Sequence, residues 1–212
     1  MNDNMSREAG SRSAGKNFLK EIRISIVATI VFTIVVCGVY PAIVWALGQA
    51  FFPWQANGSL ITNKQGTVIG SELLGQEFTG VEYFQPRPSY AGNGYDPTAS
   101  GGSNLGPTSQ KLATNIQQSI AAYRTENNIA TSTPVPADAV TGSASGLDPE
   151  ISLANANIQA TRVAKARSIT VAQVQDLIKQ NTNGRSLGVL GEPGVNVLTL
   201  NIELDQKYSV KK

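Results

Sequence analysis

The sequence predicts an α/β (α+β) extracytoplasmic domain attached to a single N-terminal transmembrane helix. Three observations support this prediction. Residues 24–47 contain no charged side chain, and five basic residues precede this run whereas none follows it before Lys64. The remaining chain, about 160 residues with mixed helical and strand-like patterns, is long enough for one domain with its own core.

The uncharged run is long enough to span a bilayer. A helix rises about 1.5 Å per residue and the hydrocarbon core is roughly 30 Å thick. A cleaved signal peptide is the alternative, with Ala46-Leu47-Gly48 as a weak cleavage site. Its apolar core is usually only about 7–15 residues, whereas this run continues into bulky residues at 51–54. An uncleaved anchor is therefore favoured.

The flanking charges predict the orientation. Basic residues are retained on the cytoplasmic side of a membrane, so the N-terminus is expected inside. Residues 1–21 are polar and Gly/Ser-rich, which is typical of a disordered cytoplasmic tail. Residues 22–47 are then the transmembrane helix, and residues 48–212 form an extracytoplasmic, periplasmic-side α/β domain.

The first part of this domain shows strand, loop and helix patterns in turn. Ser59–Ile61 and Thr67–Ile69 flank a Gly-containing turn and predict a hairpin. Glycines and prolines over residues 85–107 predict an irregular loop, which is functional or held by other parts of the fold. A helix of about 20 residues follows from Thr108. Residues 131–150 return to a Ser/Thr/Pro/Gly-rich stretch, which is either an ordered connector or a second functional loop.

The last part predicts two helices and a strand. Ser152–Arg167 has an apolar face at helical spacing, and Thr170–Asn181 opens with a Thr-x-x-Gln capping box. Val197–Leu204 alternates between apolar and other residues, which predicts a half-buried strand. The basic group Arg162, Lys165 and Arg167 is interpreted as a solvated helix face.

Composition excludes several functions. Beyond residue 47 we count twelve basic and twelve acidic residues, because five of the 17 Lys+Arg and three of the 15 Asp+Glu lie before it. A neutral domain does not suit nucleic acid. The chain has no histidine, and its single cysteine, Cys37, lies in the span, so no catalytic residues and no metal site are predicted.

Two loop features are candidate sites. The segment Ser100, Gly101, Gly102 and Ser103 is a candidate nucleotide contact, although Pro107 stands where a P-loop requires lysine, and a structural turn is the alternative. The loop carboxylates Asp96, Asp138, Asp148 and Glu150 could form an acid/base pair or a cation site, or could serve as turn and cap residues.

Small residues recur along the predicted span. Ser25, Thr29, Thr33 and Cys37 are spaced by four, with Gly38 beside them. Such rows let membrane helices approach closely, so they predict a surface that packs against partner helices. The alternative is that the hydroxyls bond only to their own helix and the row faces lipid.

Several long blocks closely resemble the C subunit of the Kdp potassium-transporting P-type ATPase. The resemblance covers Ile22 to about Leu204. Its blocks read YPAIVWALGQAFFPWQANGSLI, GSELLGQEF, YFQPRPS, TASGGSNLGPT, VPADAVTGSASGLDPEIS, RVAKAR and LGVLGEPGVNVLTLNIEL.

The resemblance implies a non-catalytic accessory subunit of a bacterial inner-membrane, ATP-driven potassium uptake complex. Its expected partners are a potassium-conducting A subunit, an ATP-hydrolysing B subunit and a small F subunit. It also implies a role as catalytic chaperone that raises the ATP affinity of the B subunit, so ATP is the implied cofactor and potassium the transported ion. The alternative is an anchored extracytoplasmic enzyme or solute-binding module that uses the loop carboxylates.

Overall fold

The computed structural model describes the backbone of residues 3–209 and the side chains of residues 18–209. The extreme ends of the predicted tail and of the predicted domain lie outside these residues. The chain divides into an N-terminal unit, Met1–Gly58, and a second unit, Ser59–Lys212, which we name the outer unit after its predicted location.

The N-terminal unit is helical. Helix α1 spans Asp3–Thr33, a π-helical turn follows over Ile34–Val39, and helices α2 and α3 span Tyr40–Phe51 and Pro53–Ala56. The backbone is thus helical from Asp3, within the stretch that the sequence predicts to be a disordered tail. The predicted boundaries of the tail, span and domain remain predictions.

One apolar helix in the described residues, Phe18–Phe51, is long enough to cross a membrane, and none of its apolar window is buried. The π-helical turn inside it has a local cause. Pro41 has no N–H to donate to the Cys37 carbonyl, so the regular bonding pattern fails there. The Tyr40 N–H donates instead to the Val35 carbonyl, five residues earlier.

The outer unit begins with the predicted hairpin. Strands β1, Leu60–Thr62, and β2, Val68–Ser71, pair antiparallel around a turn closed by Asn63. Three predicted helices are also confirmed as α4, Gln110–Asn127, α5, Leu153–Arg167, and α6, Val171–Gln180. Ser109, Ser152 and Thr170 cap them, and Thr170 forms the predicted capping box with Gln173.

A small antiparallel sheet and three helices surround the core. The sheet contains β3, Glu150–Ser152, β4, Thr182–Asn183, and β5, Gly194–Asn196, in the order β3-β5-β4. All residues of the central strand β5 are buried. The core joins this sheet to α5, α6 and the last helix through Ile151, Val163, Val174, Leu177, Val195, Leu200 and Leu204.

The predicted strand over Val197–Leu204 is wrong. This segment is helix α7, Val197–Lys207, which follows strand β5 directly. The Asn196 side chain accepts from the Thr199 N–H at 3.1 Å and starts the helix. The buried residues of α7 lie at helical spacing rather than on alternate positions: Val197, Leu198, Leu200, Asn201 and Leu204.

Candidate functional site

The candidate nucleotide segment Ser100–Ser103 lies in the first irregular loop and contacts the second. The Ser100 hydroxyl donates to the Ser145 carbonyl at 3.0 Å, and the Gly101 N–H donates to the same carbonyl at 2.9 Å. Two donors that a phosphate-binding loop would offer to a ligand are therefore used within the domain. These bonds favour the structural turn, and nucleotide contact stays a prediction.

The two loops, residues 85–107 and 131–149, interlock closely, and we call them the interlocked loops. Gly146 has φ +67°, and a Cβ there would lie 2.6 Å from the Gly101 carbonyl oxygen and 2.7 Å from the Ala91 nitrogen. The Ser89 hydroxyl donates to the Gly146 carbonyl at 2.6 Å and accepts from the Tyr95 N–H at 2.8 Å. Only glycine fits this approach.

The candidate loop carboxylates make structural contacts. Asp148 accepts from Arg87 Nη1 at 2.8 Å, and both side chains are partly buried. Its second oxygen accepts from the Glu150 N–H at 3.0 Å. The Glu150 carboxylate in turn accepts from the Asn183 amide at 2.6 Å. These bonds connect the interlocked loops to strands β3 and β4.

The other two carboxylates serve a turn and a helix start. Asp96 accepts from the hydroxyl and the N–H of Thr98, and these bonds lower the pKa of the Asp96 carboxyl. Asp138 accepts from the Ser152 N–H and hydroxyl, both at 2.8 Å, and from the Asn155 amide at 2.9 Å. The structure thus supports the turn and cap interpretation of Asp96, Asp138 and Asp148, whereas Glu150 bonds to Asn183 of strand β4.

A cleft of about 380 Å³, which the sequence does not predict, is lined by α4, α5 and residues 77–95. Burial, and next the charge of Glu77, raise the pKa of Tyr95 to about 12. Burial, and next the charge of Asp138, raise the pKa of Tyr123. Both phenols therefore stay protonated well above neutral pH, and the Tyr95 hydroxyl donates to the Arg87 carbonyl. The Tyr123 hydroxyl already donates to Asn155 Oδ1 at 2.8 Å, so its proton is used inside the protein.

Next to the cleft runs an irregular segment, Val81–Gln85, which we call the clamped segment. It begins in a turn in which the Tyr83 N–H donates to the Gly80 carbonyl at 3.1 Å. Asn201 pairs with Phe84 as a strand would: its Oδ1 accepts from the Phe84 N–H and its Nδ2 donates to the Phe84 carbonyl, both at 2.8 Å. Gln159 pairs with the Gln85 backbone in the same way, at 2.8 and 3.0 Å. Two buried amide side chains thus take the place of a β-ladder.

Two arginines of α5 complete this arrangement. Arg162 Nη1 donates to the carbonyls of Val81 and Tyr83 at 2.7 and 2.9 Å. Arg167 Nε donates to the Glu82 carbonyl at 2.7 Å, and its guanidinium lies 4.9 Å from the centre of the Tyr83 ring. These contacts bind the clamped segment to α5 along its length.

The interpretation of Arg162, Lys165 and Arg167 as a solvated face is therefore wrong for the two arginines. Arg167 is buried and Arg162 is half-buried, while only Lys165 is exposed. Burial lowers the pKa of Arg162. The available sequence signal was the spacing, because Arg167 continues the buried helix face of Ala160 by seven residues.

The small-residue row of the span lies entirely on its exposed surface: Ser25, Thr29, Thr33, Cys37 and Gly38. The Thr29 hydroxyl donates to the Ser25 carbonyl and the Thr33 hydroxyl to the Thr29 carbonyl, both at 2.8 Å. The hydroxyls are thus satisfied within the helix, which leaves a shallow strip of small side chains. Packing of this strip against partner helices remains a prediction.

Residues 22–206 match the family described as KdpC: K+-transporting ATPase, c chain. A relative from Mycobacterium tuberculosis, named potassium-transporting ATPase KdpC subunit, is 55% identical over 177 residues, which cover 84% of this chain and 93% of the relative. Relatives of the same name from Caulobacter sp. and Koribacter versatilis are 50% and 47% identical over 90% and 88% of this chain, and over 95% and 94% of their own lengths. The chain belongs to the KdpC family.

Membership in the KdpC family confirms the resemblance that the sequence blocks indicate. The matched range includes the apolar span, the interlocked loops and the clamped segment. KdpC proteins are subunits of a transporting ATPase rather than catalytic enzymes by themselves. This agrees with the structural contacts of the loop carboxylates and disfavours the anchored enzyme.

Proposed function

We propose that this KdpC chain is a non-catalytic accessory subunit of a high-affinity, ATP-driven potassium uptake complex, which it helps to assemble and stabilise. The helix Phe18–Phe51 carries the proposal, because none of its apolar window is buried within the chain. An uncovered apolar surface of this length requires lipid or other membrane helices around it.

The charges and aromatic residues support a bacterial inner-membrane location with the N-terminus in the cytoplasm. Lys20 and Arg23 lie at one end of the apolar helix, and the aromatic rings of Trp45 and Trp54 are exposed at the other. Basic residues favour the cytoplasmic side, and tryptophan favours the headgroup layer. The outer unit then lies on the periplasmic side.

The partners in this proposal are the potassium-conducting A subunit, the ATP-hydrolysing B subunit and the small F subunit. The strip of Ser25, Thr29, Thr33, Cys37 and Gly38 is the proposed contact with their membrane helices. A strip of small, internally bonded side chains lets another helix approach without leaving an unpaired hydroxyl.

The family resemblance also implies that the chain raises the ATP affinity of the B subunit, and we propose that this effect is indirect. With the outer unit outside the cytoplasm, Ser100–Ser103 would be separated from cytoplasmic ATP. The bonds to Ser145 already occupy two of their donors. The effect would instead pass through membrane helices that contact this chain differently in two states of the pump.

Co-purification with a tag on this chain tests the proposal in detergent-extracted membranes. Thr29→Leu combined with Thr33→Leu should reduce recovery of the partner subunits about tenfold, because larger side chains separate the packed helices. The recovered complex should also show a weaker apparent ATP affinity, although nothing in the outer unit has changed.

Val27→Leu combined with Val31→Leu is the matched control. These residues have the same four-residue spacing, face away from the strip and are exposed. Normal assembly of the threonine variant would contradict the packing surface, and a failure of the unmodified chain to recover partners would contradict the proposed function.

A further inference from the structure

A short hairpin between β4 and β5 stands out from the rest of the outer unit. This finger, Arg185–Glu192, is closed by two backbone bonds of 2.9 Å between Ser186 and Leu190. At its base, Arg185 Nη2 lies 2.9 Å from each oxygen of the Glu192 carboxylate. The finger is therefore a defined element rather than a loose connection.

The finger exposes three aliphatic side chains. Leu187 is 90% exposed, Val189 71% and Leu190 58%. Leu187 and Val189 are the most exposed large apolar residues of the outer unit as the structure describes it. Exposed apolar surface gathered on one small element is typical of an interaction site.

Backbone strain occurs at the same place. Leu187 has φ +53°, a left-handed conformation that is unfavourable for a bulky residue. Asparagine or glycine would suit this position better and would also remove the exposed leucine. Two independent costs at one residue indicate that the leucine serves a purpose outside the fold.

The chemistry of the finger favours a protein pocket over lipid headgroups. Segments that bind membrane surfaces combine basic residues with tryptophan or phenylalanine. Residues 185–192 contain no aromatic side chain, and their one basic residue, Arg185, is paired with Glu192. The finger has no net charge with which to attract anionic lipid.

The small size of the finger indicates the kind of partner. Three aliphatic side chains cover only a fraction of the roughly 800 Å² per partner that a stable interface buries. They could not hold two free copies of this chain together. They suit a second contact for a chain that is already held, because tethering raises the effective concentration to about the millimolar range.

We propose that the finger inserts Leu187, Val189 and Leu190 into an apolar pocket on the outer face of the subunit whose membrane helices contact the KdpC span. This inference rests on the proposed function, because the span supplies the first attachment. The chain then grips its partner at two points, one within the membrane and one outside it.

Site-specific crosslinking of the full chain within its complex tests this contact. A photoreactive benzoylphenylalanine replaces Val189, and membranes that contain all subunits are irradiated. A crosslink to another subunit of the complex is the expected result. Crosslinks to lipid or to a second copy of this chain, or no crosslink at all, would overturn the proposal.

Leu187→Asn provides a second measurement that does not depend on the crosslinker. Asparagine tolerates the left-handed conformation, so the variant should fold as well as the unmodified chain. Its retention on the complex during dilution should fall tenfold or more, because a buried leucine side chain is lost from the contact.

Val81→Asn is the matched control, since Val81 is 60% exposed elsewhere on the outer unit. Equal retention of Leu187→Asn and the unmodified chain would overturn the finger contact alone. If the unmodified chain also failed to recover partners, the proposed function itself would be contradicted.

Discussion

The clamped segment and the finger are both short stretches outside the three-stranded sheet and the helices, yet they differ in their hydrogen bonds and in the burial of their side chains. The clamped segment has its backbone bonded by side chains from α5 and α7, and its Phe84 is fully buried. Among the described residues, the finger forms hydrogen bonds within itself, and its apolar side chains are exposed. Irregular backbone therefore does not by itself indicate a binding surface.

The two stretches differ in whether other parts of the domain bury their apolar side chains and bond to their backbone groups. The interlocked loops resemble the clamped segment in this respect, because their donors and close glycine contacts are satisfied within the domain. Their glycine-rich sequence suggests a ligand loop, whereas these contacts favour a structural turn. The apolar side chains of the finger, in contrast, are mostly exposed.

Glycine substitution should give the largest contrast between the two classes. Gly146→Ala would place a methyl group 2.6 Å from a backbone oxygen, so the interlocked loops must separate. We expect a loss of about 3 kcal/mol or more in the free energy of unfolding, from overpacking together with left-handed strain. Denaturant unfolding of the full chain in detergent, followed by near-ultraviolet circular dichroism of its tyrosines, measures this loss.

Gly188→Ala in the finger is the matched control. It has a similar φ of +78°, but nothing lies within 4 Å of the added methyl group. Only the strain of about 1 kcal/mol should remain. Equal losses in the two variants would show that the interlocked loops are no more tightly packed than the finger.

Removing an amide from the clamp should have the next largest effect. Asn201→Leu keeps a similar volume but leaves the buried Phe84 N–H and carbonyl without their 2.8 Å partners. The expected loss is about 2–3 kcal/mol. Hydrogen exchange measured by mass spectrometry should also show faster exchange across residues 81–85.

Asn157→Leu makes the same change on the exposed surface of α5, where the amide bonds only to the Leu153 carbonyl of its own helix. This control should alter stability by less than about 0.5 kcal/mol. Unchanged exchange in the Asn201 variant would mean that the clamp is not what orders the segment.

The sequence predicts those parts of the fold that depend on local signals. The apolar span, the β1–β2 hairpin and the helices with Ser or Thr caps follow from neighbouring residues. The prediction of a strand for Val197–Leu204 is wrong because the apolar residues there fit both a strand and a helix spacing. The cap at Asn196 favours the helix. Local signals decide an element only when they agree with one another.

The clamp could not be predicted, because its partners are distant in sequence. Asn201 bonds to a residue 117 positions earlier, and Arg167 to one 85 positions earlier. Basic residues on a helix are usually solvated, and only the fold brings unpaired carbonyls beside them. The exposure of Leu187 depends likewise on the whole domain.

Ionisation of Tyr95 should give the most selective effect, because the Tyr95 hydroxyl bonds within the interlocked loops. The Tyr95 hydroxyl donates to the Arg87 carbonyl, and its pKa is raised from 10.0 to about 12 in the folded protein. The unfolded chain therefore releases this proton first as pH rises. The stabilisation from Tyr95 is complete below pH 10 and is lost progressively between pH 10 and about 12.

Tyr95→Phe separates this contribution from other alkaline effects. The variant should start less stable at pH 8, because the Arg87 carbonyl loses its donor, and should then lose less stability than the unmodified chain as pH rises. Denaturant unfolding at several pH values measures how the free energy of unfolding of each protein changes with pH. If the free energies of unfolding of the variant and the unmodified chain changed equally with pH, the prediction that Tyr95 stabilises the interlocked loops below pH 10 would be wrong.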